Sequence, residues 1–180
     1  MAEEGPHDPV VLVVTGVSGS GKSTVASLLA ERLGLPFADG DDFHTPESVA
    51  RMRAGHPLDD EARAPWLARI RAWIDARLKA EEGGVVACSA LKRGYRRTLI
   101  GDREDVRIVY LEGSRDLIGR RIAARRGHFM PAGLLDSQFA ALEPPGPDEN
   151  PIVVGIEDGP DAIVAAVAAR LGRTPGDACG

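Results

Sequence analysis

Cysteine is scarce: 180 residues hold two, Cys88 and Cys179. A disulfide scaffold is therefore excluded, and a reducing cytoplasm is the expected setting. Those two thiols and four scattered histidines form no zinc-binding spacing. Long apolar runs are missing as well. No stretch reaches 18 residues, so no membrane-spanning helix is expected. The opening MAEEGPHDP is acidic and Pro-bearing, without the basic start and apolar stretch of a secretion signal. Internal repeats and low-complexity segments are absent. An excess of positive charge is lacking too: 22 basic against 27 acidic side chains give −5, which argues against broad nucleic-acid binding.

What is present suits one globular domain, with 43% apolar and 27% charged residues. A chain of this size buries roughly 70% of its unfolded surface and needs no staples. Charge is unevenly spread. Residues 92–126 hold 11 basic and 5 acidic side chains, and the remainder carries −11. A basic segment in an acidic protein reads either as a local anion site or as a solvated helix face.

Short β-branched runs alternate with helical patterns. Strands are expected at 10–15, at LPFAD ending on Asp39, at 85–88, at 106–111 and at 152–156. Helices are expected at 22–33, 46–52, 60–82, 115–126 and 161–171, with a basic helix between the third and fourth strands. In the long helix, Trp66, Leu67, Ile70, Trp73, Ile74 and Leu78 form one apolar stripe, so both tryptophans read as core. Alternation of this kind predicts a three-layer α/β/α domain around a five-stranded parallel sheet. The domain is expected over 10–172, with flexible ends at 1–9 and 173–180.

Gly16-Val17-Ser18-Gly19-Ser20-Gly21-Lys22-Ser23 matches G-x-x-x-x-G-K-S/T between a strand and a helix. Gly16, Gly19 and Gly21 let backbone N–H groups, with Ser18 and Ser20 between them, curl around phosphate. The helix start at Ser23 and Thr24 adds unpaired donors and a partial positive charge. Lys22 reaches the terminal phosphates, and the Ser23 hydroxyl ligates Mg²⁺. The pattern calls for ATP or another nucleoside triphosphate. No N-K-x-D guanine reader occurs, and the third strand ends in Cys88-Ser89 rather than in an acid, so a small phosphotransferase fits better than a GTPase switch or a motor.

Asp39, Asp41, Asp42 and His44 follow the second strand, where open α/β sheets bind ligands. Asp39 and Asp41, two apart, would point the same way in extended chain. One carboxylate can hold Mg²⁺ through water, and the other can accept a hydroxyl proton. His44 either bonds a substrate hydroxyl or caps the helix at Pro46. Lys92 and Arg93 emerge from the third strand where an anionic substrate could be gripped, and Arg51 and Arg53 lie on the short helix expected to roof the site. Arg121 and Arg125 share a helix face. They precede Gly127, Pro131, Gly133 and a Pro-rich stretch, which reads as a helical lid over about 120–147. A lid arginine, Arg125 or its neighbour Arg126, could stabilise the transferring phosphoryl group by about 10³–10⁵ in rate.

The blocks GVSGSGKST, FADGDDFH, PLDDEARAPWL, ACSALKRGYRRTL and RRGHFMPAGLLDSQFAALEPP, in this order, resemble those of thermoresistant-type gluconokinases. The resemblance implies a nucleoside-monophosphate-kinase-like P-loop fold related to shikimate kinase. It implies ATP- and Mg²⁺-dependent phosphorylation of D-gluconate at its 6-hydroxyl, by a cytoplasmic homodimer feeding the pentose phosphate or Entner–Doudoroff route. By similarity to shikimate kinase, Asp39 would assist Mg²⁺, Asp41 would contact the acceptor hydroxyl, Arg121 would lie near the adenine or phosphates, and Arg125 would carry the lid charge. The rival readings are a kinase for another small hydroxy acid such as shikimate, and a nucleotide-sensing module without catalysis.

Overall fold

A computed structural model of the chain describes residues 9–124 and 132–172. Residues 1–8 of the expected flexible N-terminus, the whole expected C-terminal tail with Cys179, Arg125, Arg126 and the proposed hinge positions 127 and 131 lie outside the described residues.

Among these residues five strands form one parallel sheet: β1 (Val11–Thr15), β2 (Phe37–Asp39), β3 (Gly84–Ala87), β4 (Val106–Glu112) and β5 (Ile152–Gly155), in the order β2-β3-β1-β4-β5. Every pairing is parallel. β1 is central and wholly buried. That is why VLVVT is an unbroken apolar run, since both its faces are covered. Val11 pairs with Gly84 on one side and Val106 on the other, so the three middle strands begin at one level.

Among the described residues seven helices flank the sheet: α1 (Lys22–Leu33), α2 (Pro46–Arg53), α3 (Asp60–Lys79), α4 (Arg93–Ile100), α5 (Arg115–Ala124), α6 (Ala132–Ala141) and α7 (Pro160–Arg170). On one face Leu12 and Val14 of β1 pack with Val25 and Leu29 of α1, Ile118 of α5, Leu135 of α6 and Val164 of α7. On the other, Val11 and Val13 pack with Trp66, Ile70 and Ile74 of α3 and with Tyr95 and Leu99 of α4. Alternate β1 residues thus serve opposite cores, as a strand's twofold period requires. The expected three-layer fold is the observed one.

Two expectations change. The long helix stops at Lys79 rather than at 82, because Glu81 takes φ 56° and turns the chain toward β3. The acidic block after β2 is not extended. Gly40–Phe43 is a 3₁₀ turn capped by Asp39, whose carboxylate accepts from the Asp41 N–H at 3.0 Å. Asp and Gly in this block favour such side-chain-capped turns over strand.

Candidate functional site

The phosphate loop runs from the end of β1 into α1. Gly19 has φ +82°, and a Cβ there would lie 2.6 Å from Ile122, so the position demands glycine both for conformation and for space. Gly21, also left-handed, caps α1 with no side chain over the first turn, which contains no acid. The free N–H groups and the positive end of the helix dipole are left for an anion. The Ser20 hydroxyl is buried within the loop without a partner among the described residues. An unmet donor in a glycine-lined cradle fits a phosphate group.

Lys22 folds back over the loop, its Nζ 3.2 Å from the Val17 carbonyl. Burial pulls its pKa down, and the Asp41 carboxylate, then Cys88 and Asp39, oppose that shift. Burial pushes the Cys88 thiol up to about 12, so at neutral pH it is an uncharged neighbour. The carboxylates therefore do the work of keeping an ammonium here.

Ser23 donates its hydroxyl to Asp39 Oδ2 at 2.8 Å. The other Asp39 oxygen is held by the Asp41 amide. Two hard oxygen donors thus stand together between the start of α1 and the end of β2. Such a pair suits Mg²⁺, which takes few protein ligands and completes its octahedron with phosphate and water. The turn beyond is tightly set. Gly40 passes so close to β3 that a Cβ would meet the Ala87 carbonyl at 2.4 Å. Its own carbonyl accepts from Trp66 Nε1 at 2.7 Å.

Beside the loop opens a cleft of about 1380 Å³. Its lining includes Asp41, His44 and Trp66, together with Arg53, Arg63, Asp60 and Lys92. Ser137 and Gln138 of α6 close it toward Ser18, the one phosphate-loop residue on its lining. His44 stacks on Trp66, with centroids 4.4 Å apart and planes 7° from parallel. Thr45, not His44, caps α2 by accepting from Ser48 N–H at 3.1 Å. His44 is instead a cleft residue, its Nδ1 buried and unpartnered among the described residues. Burial lowers its pKa, Asp41 resists, and Arg63 and Arg69 add to the lowering. Lys92 Nζ bonds Asp60 at 2.9 Å, and Tyr95 also donates to Asp60.

The structure gathers Gly16, Ser18, Gly19, Ser20, Gly21, Lys22, Ser23 and Thr24 into one loop and helix start, with Asp39 and Asp41 facing it. It brings His44 and Lys92 into the adjoining cleft. Arg51 and Arg93 go elsewhere. Arg51 is exposed and off the cleft lining, where Arg53 stands in its place. The two are two apart on α2 and so cannot share a face. Arg93 pairs with Asp148 and lines a separate depression that reaches the start of β4. Arg121 donates to the Ile156 carbonyl just past β5, away from the acceptor cleft.

Sequence reading missed Asp60 and Arg63 of α3, Tyr95 of α4 and Gln138 of α6, which come from three helices far apart in the chain. It also read Trp66 as core alone. Trp66 is buried, yet it carries both the Gly40 anchor and the His44 stack.

The shikimate kinase family model matches residues 18–137. A gluconokinase of Gluconobacter oxydans (strain 621H) is 49% identical over 87% of this chain and 88% of its own. The thermoresistant gluconokinase of Escherichia coli (strain K12) is 39% identical, covering 89% of this chain and 92% of its own. The crystal structure of a gluconokinase from Sinorhizobium meliloti 1021 superposes with a TM-score of 0.83 at 40% identity, over 96% of this chain and 97% of that one. These relatives align with 87–96% of this chain, and the chain belongs to the gluconokinase family, within the wider group that the shikimate kinase model describes.

Proposed function

We infer that the chain transfers the terminal phosphoryl group of ATP to the 6-hydroxyl of D-gluconate, giving 6-phospho-D-gluconate and ADP. One observation carries this reading: a phosphate loop and a polar cleft share a boundary at Ser18, with Asp41 on the cleft lining and its charge felt at Lys22. The cleft is lined by both acids and bases, which suits a polyol bearing a carboxylate. Acids take hydroxyls, while Lys92, Arg53 and Arg63 offer cations for the carboxylate.

In the proposed reaction the 6-oxygen of gluconate bonds to the γ-phosphorus while the bond from that phosphorus to the bridging oxygen of ADP breaks. The hydroxyl proton passes to the Asp41 carboxylate. Lys22 and the loop N–H groups stabilise charge on the phosphoryl oxygens. Ser23 and Asp39 would hold Mg²⁺, which supplies further charge neutralisation. The transition state is loose, so positioning outweighs proton removal, and Lys22 should matter more than Asp41. Arg121, anchored past β5, is assigned to the nucleotide. Arg125 is assigned to the phosphoryl group on its sequence pattern alone. A homodimer in the cytoplasm belongs to the same proposal and is checked by sedimentation.

The deciding experiment is an acceptor panel with Mg·ATP and ADP-coupled detection. Gluconate is expected to give the highest kcat/KM, well above shikimate and other hydroxy acids. Preference for any other acceptor would replace gluconate in this reading, and ATP binding without acceptor-dependent ADP release would favour a sensing module.

A further inference from the structure

Gln138 lies 120 residues from Ser18, yet the two are joined twice. The Ser18 backbone N–H donates to Gln138 Oε1 at 2.7 Å, and Gln138 Nε2 donates to Ser18 Oγ at 2.8 Å. Both ends of the amide are used. The reverse orientation would set its NH₂ against the Ser18 N–H, so the orientation is fixed by the partners themselves.

The connection joins two working surfaces. Ser18 belongs to the donor loop and also lines the acceptor cleft. On α6, Leu134, Ser137, Gln138 and Ala141 line that cleft. Their spacing is i, i+3, i+4 and i+7, one face of a helix. The far end of α6 is tied to the segment bearing Lys92. Glu143 N–H donates to the Leu91 carbonyl at 2.9 Å, and the Glu143 carboxylate accepts from Arg93 N–H at 2.8 Å. A ligand that presses on the cleft face of α6 therefore reaches the phosphate loop through one side chain.

We propose that Gln138 is a positioning residue that couples acceptor occupancy to the geometry of the phosphate loop. The inference rests on the donor and acceptor assignments made above. Gln138 does not touch the reacting atoms; it fixes the first half of the loop through Ser18. Nor is it needed merely to dock α6. Leu135, Phe139 and Leu142 pack into the core on that side, and Arg115 pairs with Asp136. Removing the amide should leave α6 in place and cut the connection.

The test is a linkage measurement on the full chain. A non-hydrolysable ATP analogue with Mg²⁺ is titrated with and without saturating gluconate, after wild-type turnover on gluconate has been measured. In the wild type, gluconate is expected to tighten analogue binding by about 5-fold or more, within the usual range for coupled sites. In Gln138→Ala the ratio should fall to about 1, whatever the affinity for the analogue alone. Ser18→Ala keeps the N–H contact and should lose only part of the coupling, and the double variant should be no worse than Gln138→Ala. If Gln138→Ala does not fold, Gln138→Asn, which withdraws the amide by one methylene, is read the same way. Coupling that survives in these variants, or additive losses at Ser18 and Gln138, would overturn the proposal. Wild-type turnover of gluconate with no coupling would overturn it and leave the gluconate reading standing; no turnover of gluconate would remove both.

Discussion

Ser23 and Asp39 stand 2.8 Å apart, hydroxyl to carboxylate, although one opens a helix and the other ends a strand 16 residues later. In the proposed reaction this pair would hold the divalent ion. Asp39→Ala is expected to lower kcat by about 10–100-fold, the usual scale for losing a group that orients a metal. Higher Mg²⁺ should recover part of that loss. A titration of turnover against Mg²⁺ checks this. An unchanged Mg²⁺ requirement would separate Asp39 from the metal.

Lys22 makes a single described hydrogen bond, to the Val17 carbonyl, and its burial works against its charge. Its value to the fold is therefore small, and the proposed reaction assigns it to the charge on the phosphoryl oxygens. Lys22→Ala should reduce turnover by about 10²–10³-fold, as for loss of one charge-stabilising donor. The melting temperature should stay within a few degrees of wild type. Near-normal turnover in this variant would refute the assigned role.

Arg96 is the largest fully buried side chain, 2% exposed. It meets Glu149 through Nε at 2.8 Å and Nη2 at 3.1 Å, and Nη1 donates to the Ala90 and Leu91 carbonyls. Removing one member strands a buried charge. Arg96→Ala should cost about 3–5 kcal/mol in urea unfolding. Arg96→Lys should recover little, since an ammonium cannot make the two-pronged contact. Full recovery by lysine would show that charge alone matters here.

His44 gives the protein a pH dependence. Burial holds its folded-state pKa below the ordinary 6.5. The unfolded chain therefore takes up the proton first as pH falls. The stabilisation is fully present above the unfolded pKa and is lost as pH drops through 6.5 toward the lower folded value. The urea midpoint should fall between about pH 7.5 and pH 5.5, and His44→Gln should remove part of that fall. An identical pH slope in the variant would show that other groups carry it.

Gly40 tests the acidic turn by sterics alone. A methyl group at this position would strike the Ala87 carbonyl, which belongs to the sheet and cannot easily move. Gly40→Ala should displace Asp39 and Asp41 from the loop and lower kcat by about tenfold or more, the scale of a misplacement near 1 Å. Turnover at the wild-type level would mean that the turn can shift without consequence.

Much of this molecule was written along the chain. Val11–Thr15 had to be a buried strand because it is apolar without interruption, and Lys22–Leu33 had to be a helix because its leucines recur at helical spacing and Gly34 stops it in a left-handed cap. The phosphate loop is equally local, since glycine spacing and one lysine carry its chemistry within eight residues. The family blocks added the acceptor. Local pattern sufficed in each case because the residues that act together are neighbours in sequence.

The cleft was different. Arg51 and Arg53 are alike in sequence, and only the packing of α2 decides which one faces the acceptor. Arg93 looked like a partner for Lys92, yet it turns to Asp148, 55 residues on, where an opposite charge is nearer. Asp41 follows the curl of a 3₁₀ turn rather than a strand, because Trp66 and β3 clamp Gly40 from two sides. Gln138 reaches Ser18 only once α6 has settled on the core. Sequence alone determined what the elements are and marked the loop proposed to take triphosphate, through short-range periodicity and backbone freedom. Which side chains confront the sugar acid was left to tertiary packing, because those contacts join segments that no local rule relates.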